Sequence, residues 1–239
     1  MHLSVAVSKI NKWAVRESGD TLEMIERPRG GLSLVLVDGQ SSGRGAKAIS
    51  MQVVRKVISD LAEGVRDGAA ARAANDMLYA QRRGRVSATL VVISVELDSR
   101  TLIVTRCGNA PVFLRPPGED VIVLDADTPA LGFYRHTRPT VDQFQLEPGL
   151  LIVACTDGLV HAGSRSGVGF DVAEATEEIW QREASATAVA DGLLERATAL
   201  DDGRPNDDSS VVAIHVQSGP PTGPRQMRVE MPVPDVHRR

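Results

Sequence analysis

Aromatic residues make up only 3% of this 239-residue chain: two Trp, two Tyr and four Phe. With so few rings, a surface that stacks bases or sugars is not expected. Cysteine is scarcer still, with Cys107 and Cys155 alone. Both sit in apolar, strand-like runs, so the pattern is neither a disulfide framework nor a zinc spacing, and a reducing, cytoplasmic setting is expected. No apolar run reaches the ~18 residues of a membrane span, so no membrane association is expected. The stretch from Met1 to Lys12 lacks the basic head and long apolar core of a secretory signal. Positive charge is not in excess: 27 Lys+Arg stand against 31 Asp+Glu, a formal net charge of −4. No nucleic-acid footprint is therefore expected.

What is present suffices for a buried core, because 42% of the residues are hydrophobic. The length suits one domain. The expected organisation is a domain over residues 1–217 and a Pro/Gly-rich tail over 218–239, read as a flexible arm.

Alternation over residues 3–10 predicts a first strand, and Glu17-Ser18-Gly19-Asp20 reads as a turn. The apolar run 32–37, cut off by Asp38-Gly39, reads as a strand buried on both faces. Helices are expected over 46–63, where Ile49, Val53, Val57 and Leu61 share one face, and over 69–82. Residues 87–97 and 101–108 read as a hairpin turning at Asp98-Ser99-Arg100. Residues 112–115 and 121–124 form a second, and 141–146 with 150–154 a third, turning at Pro148-Gly149. Two more helices, 171–181 and 185–198, precede a last strand at 210–216. Helices that come in adjacent pairs, with strands linked by hairpins, predict an α+β layered sandwich of largely antiparallel sheets rather than a Rossmann or barrel fold.

Three acidic sites share one arrangement, a carboxylate where an apolar strand meets a polar loop: Asp38-Gly39, Asp157-Gly158 and Asp207-Asp208. Asp20, after Ser18-Gly19, is a fourth. Taken singly, Asp-Gly is a common turn dipeptide. Together, carboxylates at the ends of core strands can converge at one rim, where they would repel one another and be costly to desolvate. Hard divalent cations relieve that, since Mg²⁺ and Mn²⁺ take oxygen ligands. Two such ions ~3.5–4 Å apart can share a carboxylate, activate a water and clamp an in-line phosphoryl displacement. No Ser-His-Asp or Cys-His nucleophile pattern stands out, and a nucleotide-binding loop is absent.

Asp38-Gly39 with its glycine-rich loop, Thr156-Asp157-Gly158-Leu159 and Asp207-Asp208-Ser209-Ser210 resemble the acidic motifs of metal-dependent type 2C protein serine/threonine phosphatases. The resemblance is closer to the bacterial sporulation-stage-II-E-like branch, including free-standing phosphatases of the stressosome feedback type. Ser87-Ala88-Thr89-Leu90, Cys107-Gly108-Asn109-Ala110-Pro111 and Ala130-Leu131-Gly132 follow in the family's order, and the match spans about residues 15–216. The resemblance implies a four-layer α-β-β-α sandwich, two mostly antiparallel sheets flanked by helical pairs. It implies that Asp38 bridges two Mn²⁺ or Mg²⁺ ions, that the Gly39 carbonyl binds the first, and that Asp157 and Asp207 are further ligands. Asp208 becomes a neighbour or substitute ligand, and Asp20 an early acid acting through metal-bound water. The implied reaction is hydrolysis of phosphoserine or phosphothreonine on a small regulator, an anti-sigma antagonist or stressosome protein. The alternative is a catalytically weak phosphatase-like module that binds such a regulator. A homodimer stays open.

The family loop after Asp-Gly carries Met-Gly or His-Gly, whereas this chain has Gln40-Ser41-Ser42-Gly43. Gln40 stands where eukaryotic relatives have a histidine proposed as general acid, and glutamine cannot donate a proton usefully. Arg16, four residues before Asp20, has the planar fork that suits phosphate, with a solvated surface charge as the other reading. Arg44 and Lys47 are weaker candidates of the same kind. Arg82-Arg83-Gly84-Arg85 suits an acidic partner or is a solvated helix end. His161 reads as structural rather than as an acid.

Overall fold

Two five-stranded antiparallel sheets lie face to face, with helices on both outer surfaces. The computed structural model describes residues 1–220, 223–227, 229 and 230. The first sheet contains β1 (His2–Ile10), β10 (Ser209–Gln217), β9 (Leu151–Cys155), β6 (Val112–Arg115) and β7 (Ile122–Leu124), in that spatial order. The second contains β2 (Asp20–Glu26), β3 (Leu32–Gly39), β4 (Ala88–Glu96), β5 (Thr101–Cys107) and β8 (Thr140–Gln145). Helices α1 (Gly43–Ala62) and α2 (Asp67–Arg82) pack outside the second sheet. The one-turn α3 (Asp157–Val160), with α4 (Val172–Arg182) and α5 (Ala186–Leu200), packs outside the first. This is the expected α-β-β-α sandwich.

The period-two geometry of a strand explains its apolar runs. Leu34 and Leu36 of β3 face inward with Ile152 and Ala154 of β9 and Val212 and Ile214 of β10. Their neighbours Val35 and Val37 face outward onto Val53, Val57 and Leu61 of α1. Leu151, Val153 and Val211 likewise meet Val189 and Leu193 of α5. Each central strand thus feeds two cores, so it carries no polar face. The last two long helices are capped as their sequences suggest. The Asp171 carboxylate accepts from the Glu174 N–H at 3.0 Å, and Ser185 Oγ from the Ala188 N–H at 3.0 Å.

One expectation needs correction. Residues 141–146 and 150–154 do not form a hairpin: β8 pairs with β5, while β9 pairs with β6 and β10. The Pro148-Gly149 connection crosses between sheets. At one end the Leu146 N–H donates to the Arg100 carbonyl at 2.8 Å, and at the other Gly149 donates to Val216 at 2.7 Å. Strand β2 and the turn α3 add to the elements expected from sequence. Strand β2 is an edge strand whose Glu23 and Glu26 are exposed, so its apolar signal is diluted.

Of the expected arm over 218–239, residues 221, 222, 228 and 231–239 lie outside the described residues. Within the described part, Arg225 pairs with Glu26 at 3.1 Å, and the N-terminal amine donates to the Gly219 carbonyl at 2.9 Å. Among the described residues no helix is long and apolar enough to cross a membrane.

Candidate active site

Antiparallel register places Asp20 of β2 directly opposite Asp38 of β3, and Asp38 opposite Thr89 of β4. In the other sheet, β9 runs out through Thr156 into Asp157 at the start of α3, and Asp207 and Asp208 lead into β10. The Thr156 N–H donates to the Ser210 carbonyl at 3.1 Å, which holds these two ends together. Both sheets therefore present carboxylates at the same rim. They line one cavity of about 370 Å³ with Asp20, Asp38, Gly39, Asp157, Asp207 and Asp208 in its wall. Arg16 is the exception among the predicted residues: it is exposed and outside the lining. The cation in the wall is Lys12, whose Nζ lies 3.6 Å from Asp207 Oδ1. Gln40, Ser41, Ser42, Ser87, Ala88 and Thr89 complete the lining. The last three stand at the start of the apolar strand β4. Lys12 carried no signal, because it reaches the cavity from an irregular segment.

The carboxylates do different work. Asp20 is only 1% exposed, and its Oδ2 accepts from Thr156 Oγ1 at 2.9 Å and Ser210 Oγ at 2.6 Å. These bonds tie the edge of one sheet to the centre of the other. Lys47 and Lys9 donate to the Asp20 carbonyl at 2.8 and 3.2 Å, so Lys47 is a structural pin rather than a phosphate ligand. Asp208 spends both carboxylate oxygens on backbone donors, the N–H of Lys12 at 2.9 Å and of Gly19 at 2.7 Å. It anchors the segment between β1 and β2. Asp207 is more open, with a side chain 44% exposed.

Neither glycine of the two Asp-Gly pairs serves a turn, because neither has positive φ. A Cβ on Gly39 would lie 2.2 Å from the Ala46 carbonyl oxygen, and one on Gly158 would lie 2.1 Å from that of Asp208. Glycine is required there because main chain from another element occupies the space of a side chain. The first contact seats α1 directly behind Asp38, and the second seats α3 on the entry to β10.

The loop that departs from the family pattern contains a left-handed residue. Ser41 adopts φ +79°, in the left-handed region that disfavours a residue with Cβ. Gln40 replaces the expected histidine with a clamp: its N–H donates to the Ser87 carbonyl at 2.9 Å and its Oε1 accepts from the Ser87 N–H at 2.9 Å. Ser41→Gly removes the left-handed strain, less the extra freedom glycine gives the unfolded chain. It is expected to raise stability by about 0.5–1 kcal/mol in urea unfolding.

Crowding of like charge shows in the acidities. Burial, then Asp20, Asp157, Asp207 and Asp208, push the Asp38 carboxyl up to about 8. Burial pushes Asp20 up to about 6 against the hydrogen bonds from Ser210 and Thr156. Asp157 is also raised, by burial and then by Asp207, with His161 opposing. This donor set suits a hard divalent cation: carboxylates and a backbone carbonyl whose mutual repulsion a positive charge would relieve. Among the described residues, no three Asp, Glu, His or Cys side chains are placed so that they could hold an ion together.

The stage II sporulation protein E (SpoIIE) family matches residues 28–217. Stage II sporulation protein E of Bacillus subtilis (strain 168) is 22% identical over 204 residues, which cover 85% of this chain and 24% of that protein. The chain thus spans about a quarter of that relative's length. The structure of the PP2C phosphatase domain and a regulatory-domain fragment of SpoIIE from Bacillus subtilis superposes with a TM-score of 0.80 at 21% identity, over 90% of this chain and 64% of that one. The crystal structure of RsbX in complex with magnesium superposes with a TM-score of 0.71 at 17% identity, over 90% and 96%. With the family match covering most of the sandwich and all of the acidic rim except Asp20, the chain belongs to the SpoIIE family and has the fold of its PP2C phosphatase domain.

Proposed function

We propose that this chain is a metal-dependent protein serine/threonine phosphatase whose active site is the acidic rim. The observation that carries the reading is the convergence of Asp38, Asp157 and Asp207 from two different sheets on one cavity, with the Asp38 acidity shifted to about 8. Asp38, Asp157 and Asp207, with the Gly39 carbonyl, would hold two Mn²⁺ or Mg²⁺ ions. When bound, such a pair supplies an ionised water for in-line attack on phosphorus and offsets the charge that builds on the phosphoryl oxygens. The protein's own share is positional. Asp20, bonded to Thr156 and Ser210, fixes the spacing of the two sheets and so of the ligands they carry. Asp208 holds Lys12 at the mouth, where its ammonium faces an incoming phosphate. The substrate we propose, on family likeness, is phosphoserine or phosphothreonine of a small bacterial regulator of the anti-sigma-antagonist or stressosome type. We place it in the cytoplasm, in one domain over residues 1–217.

One observation favours a second reading, a weakly catalytic module that binds such a regulator. Gln40 is committed to Ser87, and among the described residues no histidine lines the cavity as a leaving-group acid. Phosphate release decides between them. With p-nitrophenyl phosphate and a phosphoserine peptide, turnover is expected with Mn²⁺ or Mg²⁺, to vanish with chelator, and to fall at least ~10³-fold in Asp157→Asn. Turnover indifferent to chelator or to Asp157→Asn overturns the phosphatase assignment. Cation binding without turnover supports the binding module.

A further inference from the structure

In a chain so poor in aromatics, exposed rings are conspicuous. Three are more than half exposed: Trp13 at 58%, Phe133 at 54% and Tyr134 at 56%. The last two form an edge-to-face pair with centroids 4.9 Å apart. Their loop is not loose. Asn75 of α2, fully buried, accepts from the Gly132 N–H at 2.9 Å and donates to the Tyr134 carbonyl at 3.2 Å. Leu131, also fully buried, forms a two-way backbone bridge to Ala88, at 3.1 and 2.9 Å. A buried asparagine and a backbone bridge thus hold two rings that are each more than half exposed to water.

The surroundings of these rings are basic. The turn that ends α2 lies against Phe133: a Cβ on Gly84 would sit 3.1 Å from the Phe133 carbonyl oxygen. That turn carries Arg82, Arg83 and Arg85, all exposed, and Arg135 and Arg138 follow the rings, also exposed. The patch begins one bridge away from the cavity, because Ala88, the partner of Leu131, lines the acidic rim. The floor of the cleft is therefore acidic and this bank is basic and aromatic, although the chain as a whole carries a net charge of −4.

We propose that the Arg82–Arg85 turn and the Phe133–Tyr134 loop are a docking bank for an acidic polypeptide segment beside the phosphorylated residue of the protein substrate. This rests on the phosphatase reading and deepens it. The guanidinium groups pair with carboxylates, and the paired rings offer their outer, solvent-facing surface to an apolar side chain. A phosphoresidue seated over Asp38 and Asp157 carries its neighbouring residues across Ala88 onto this bank. A small aryl phosphate fills the cavity without reaching it.

The test uses the full chain, the charge-reversal variant Arg85→Glu/Arg135→Glu, and the milder Tyr134→Ala. Neither touches the acidic rim. Probes are p-nitrophenyl phosphate and two phosphoserine peptides of equal length, one flanked by Glu and one by Gln. In the native chain kcat/KM is expected to favour the Glu-flanked peptide, and the preference to shrink with added salt. In Arg85→Glu/Arg135→Glu that preference is expected to fall about tenfold, with hydrolysis of p-nitrophenyl phosphate unchanged. In Tyr134→Ala both peptides weaken and the aryl phosphate does not. Equal rates on the two peptides in the native chain, or equal losses on peptides and aryl phosphate, overturn the proposal. Fluorescence anisotropy with the labelled Glu-flanked peptide, without divalent cations, separates it from the phosphatase reading. Arginine-dependent binding without turnover leaves the docking bank standing and removes the catalysis. Tighter arginine-dependent binding of a single-stranded oligonucleotide than of the peptide overturns the choice of partner.

Discussion

Asp38→Asn is expected to separate stability from activity. Phosphate release should fall at least ~10³-fold, about 4 kcal/mol in the barrier, because the carboxylate proposed to be shared by both ions is gone. The metal-free protein, by contrast, should gain thermal stability at pH 8. The sign follows from the acidity. Unfolded, the Asp38 carboxyl ionises near its ordinary value of about 4. Folded, burial and four neighbouring carboxylates raise it to about 8. Below pH ~4 both states hold the proton and nothing is lost. From there to about 8 the unfolded chain releases a proton that the folded chain keeps, so folding weakens as pH rises. Asn carries no charge and removes that slope. Differential scanning fluorimetry from pH 5 to 8.5, with and without Mn²⁺, reads both effects. Native protein should show a Tm gain from Mn²⁺ that grows with pH, and Asp38→Asn little gain at any pH. A cation-induced gain that is equal in the two proteins would remove Asp38 from the ligand set.

The second large effect is structural. Gly39→Ala and Gly158→Ala each put a methyl group on a main-chain carbonyl, at 2.2 and 2.1 Å. A backbone atom cannot rotate away as a side chain can, so α1 must move off β3, or α3 off the start of β10. Each substitution is expected to cost about 3 kcal/mol or more and to lower Tm by roughly 6–12 °C. Gly45→Ala is the control. Gly45 lies within α1, and a Cβ there meets nothing within 4 Å. Exchange for a better helix former should stabilise by about 0.5–1 kcal/mol. If Gly39→Ala and Gly45→Ala have the same Tm, the close approach of α1 to Asp38 is not a constraint on the fold.

Much of the rim was legible because its signals are local. An apolar strand that stops at Asp-Gly can be seen within ten letters, and so can the run from Asp207-Asp208 into Ser210. The long helices were legible for the same reason, through repeats such as Ile49, Val53, Val57 and Leu61, all buried as expected. Arg16 lies outside the cavity lining because a charge near an acid in sequence need not point where the acid does. Asp20 turns inward at the start of β2, while Arg16 stays on the outside of the preceding segment. For Asp208 the sequence left neighbour and substitute ligand open, and only its bonds to the Lys12 and Gly19 N–H groups mark it as an anchor. Pro148-Gly149 misled because the dipeptide specifies a change of direction and says nothing about which sheet receives the chain afterwards.

The amino-acid order by itself determined where most strands and the four long helices run, and that carboxylates stand at strand ends, since alternation, helical period and turn residues act over a few neighbours. Only the tertiary structure decided which strands share a sheet, that Asp20 faces Asp38, and that a carbonyl from elsewhere fills the space beside Gly39 and Gly158. Those outcomes depend on packing two sheets and their helices against one another, and on contacts between residues far apart in the chain, which no short window of sequence contains.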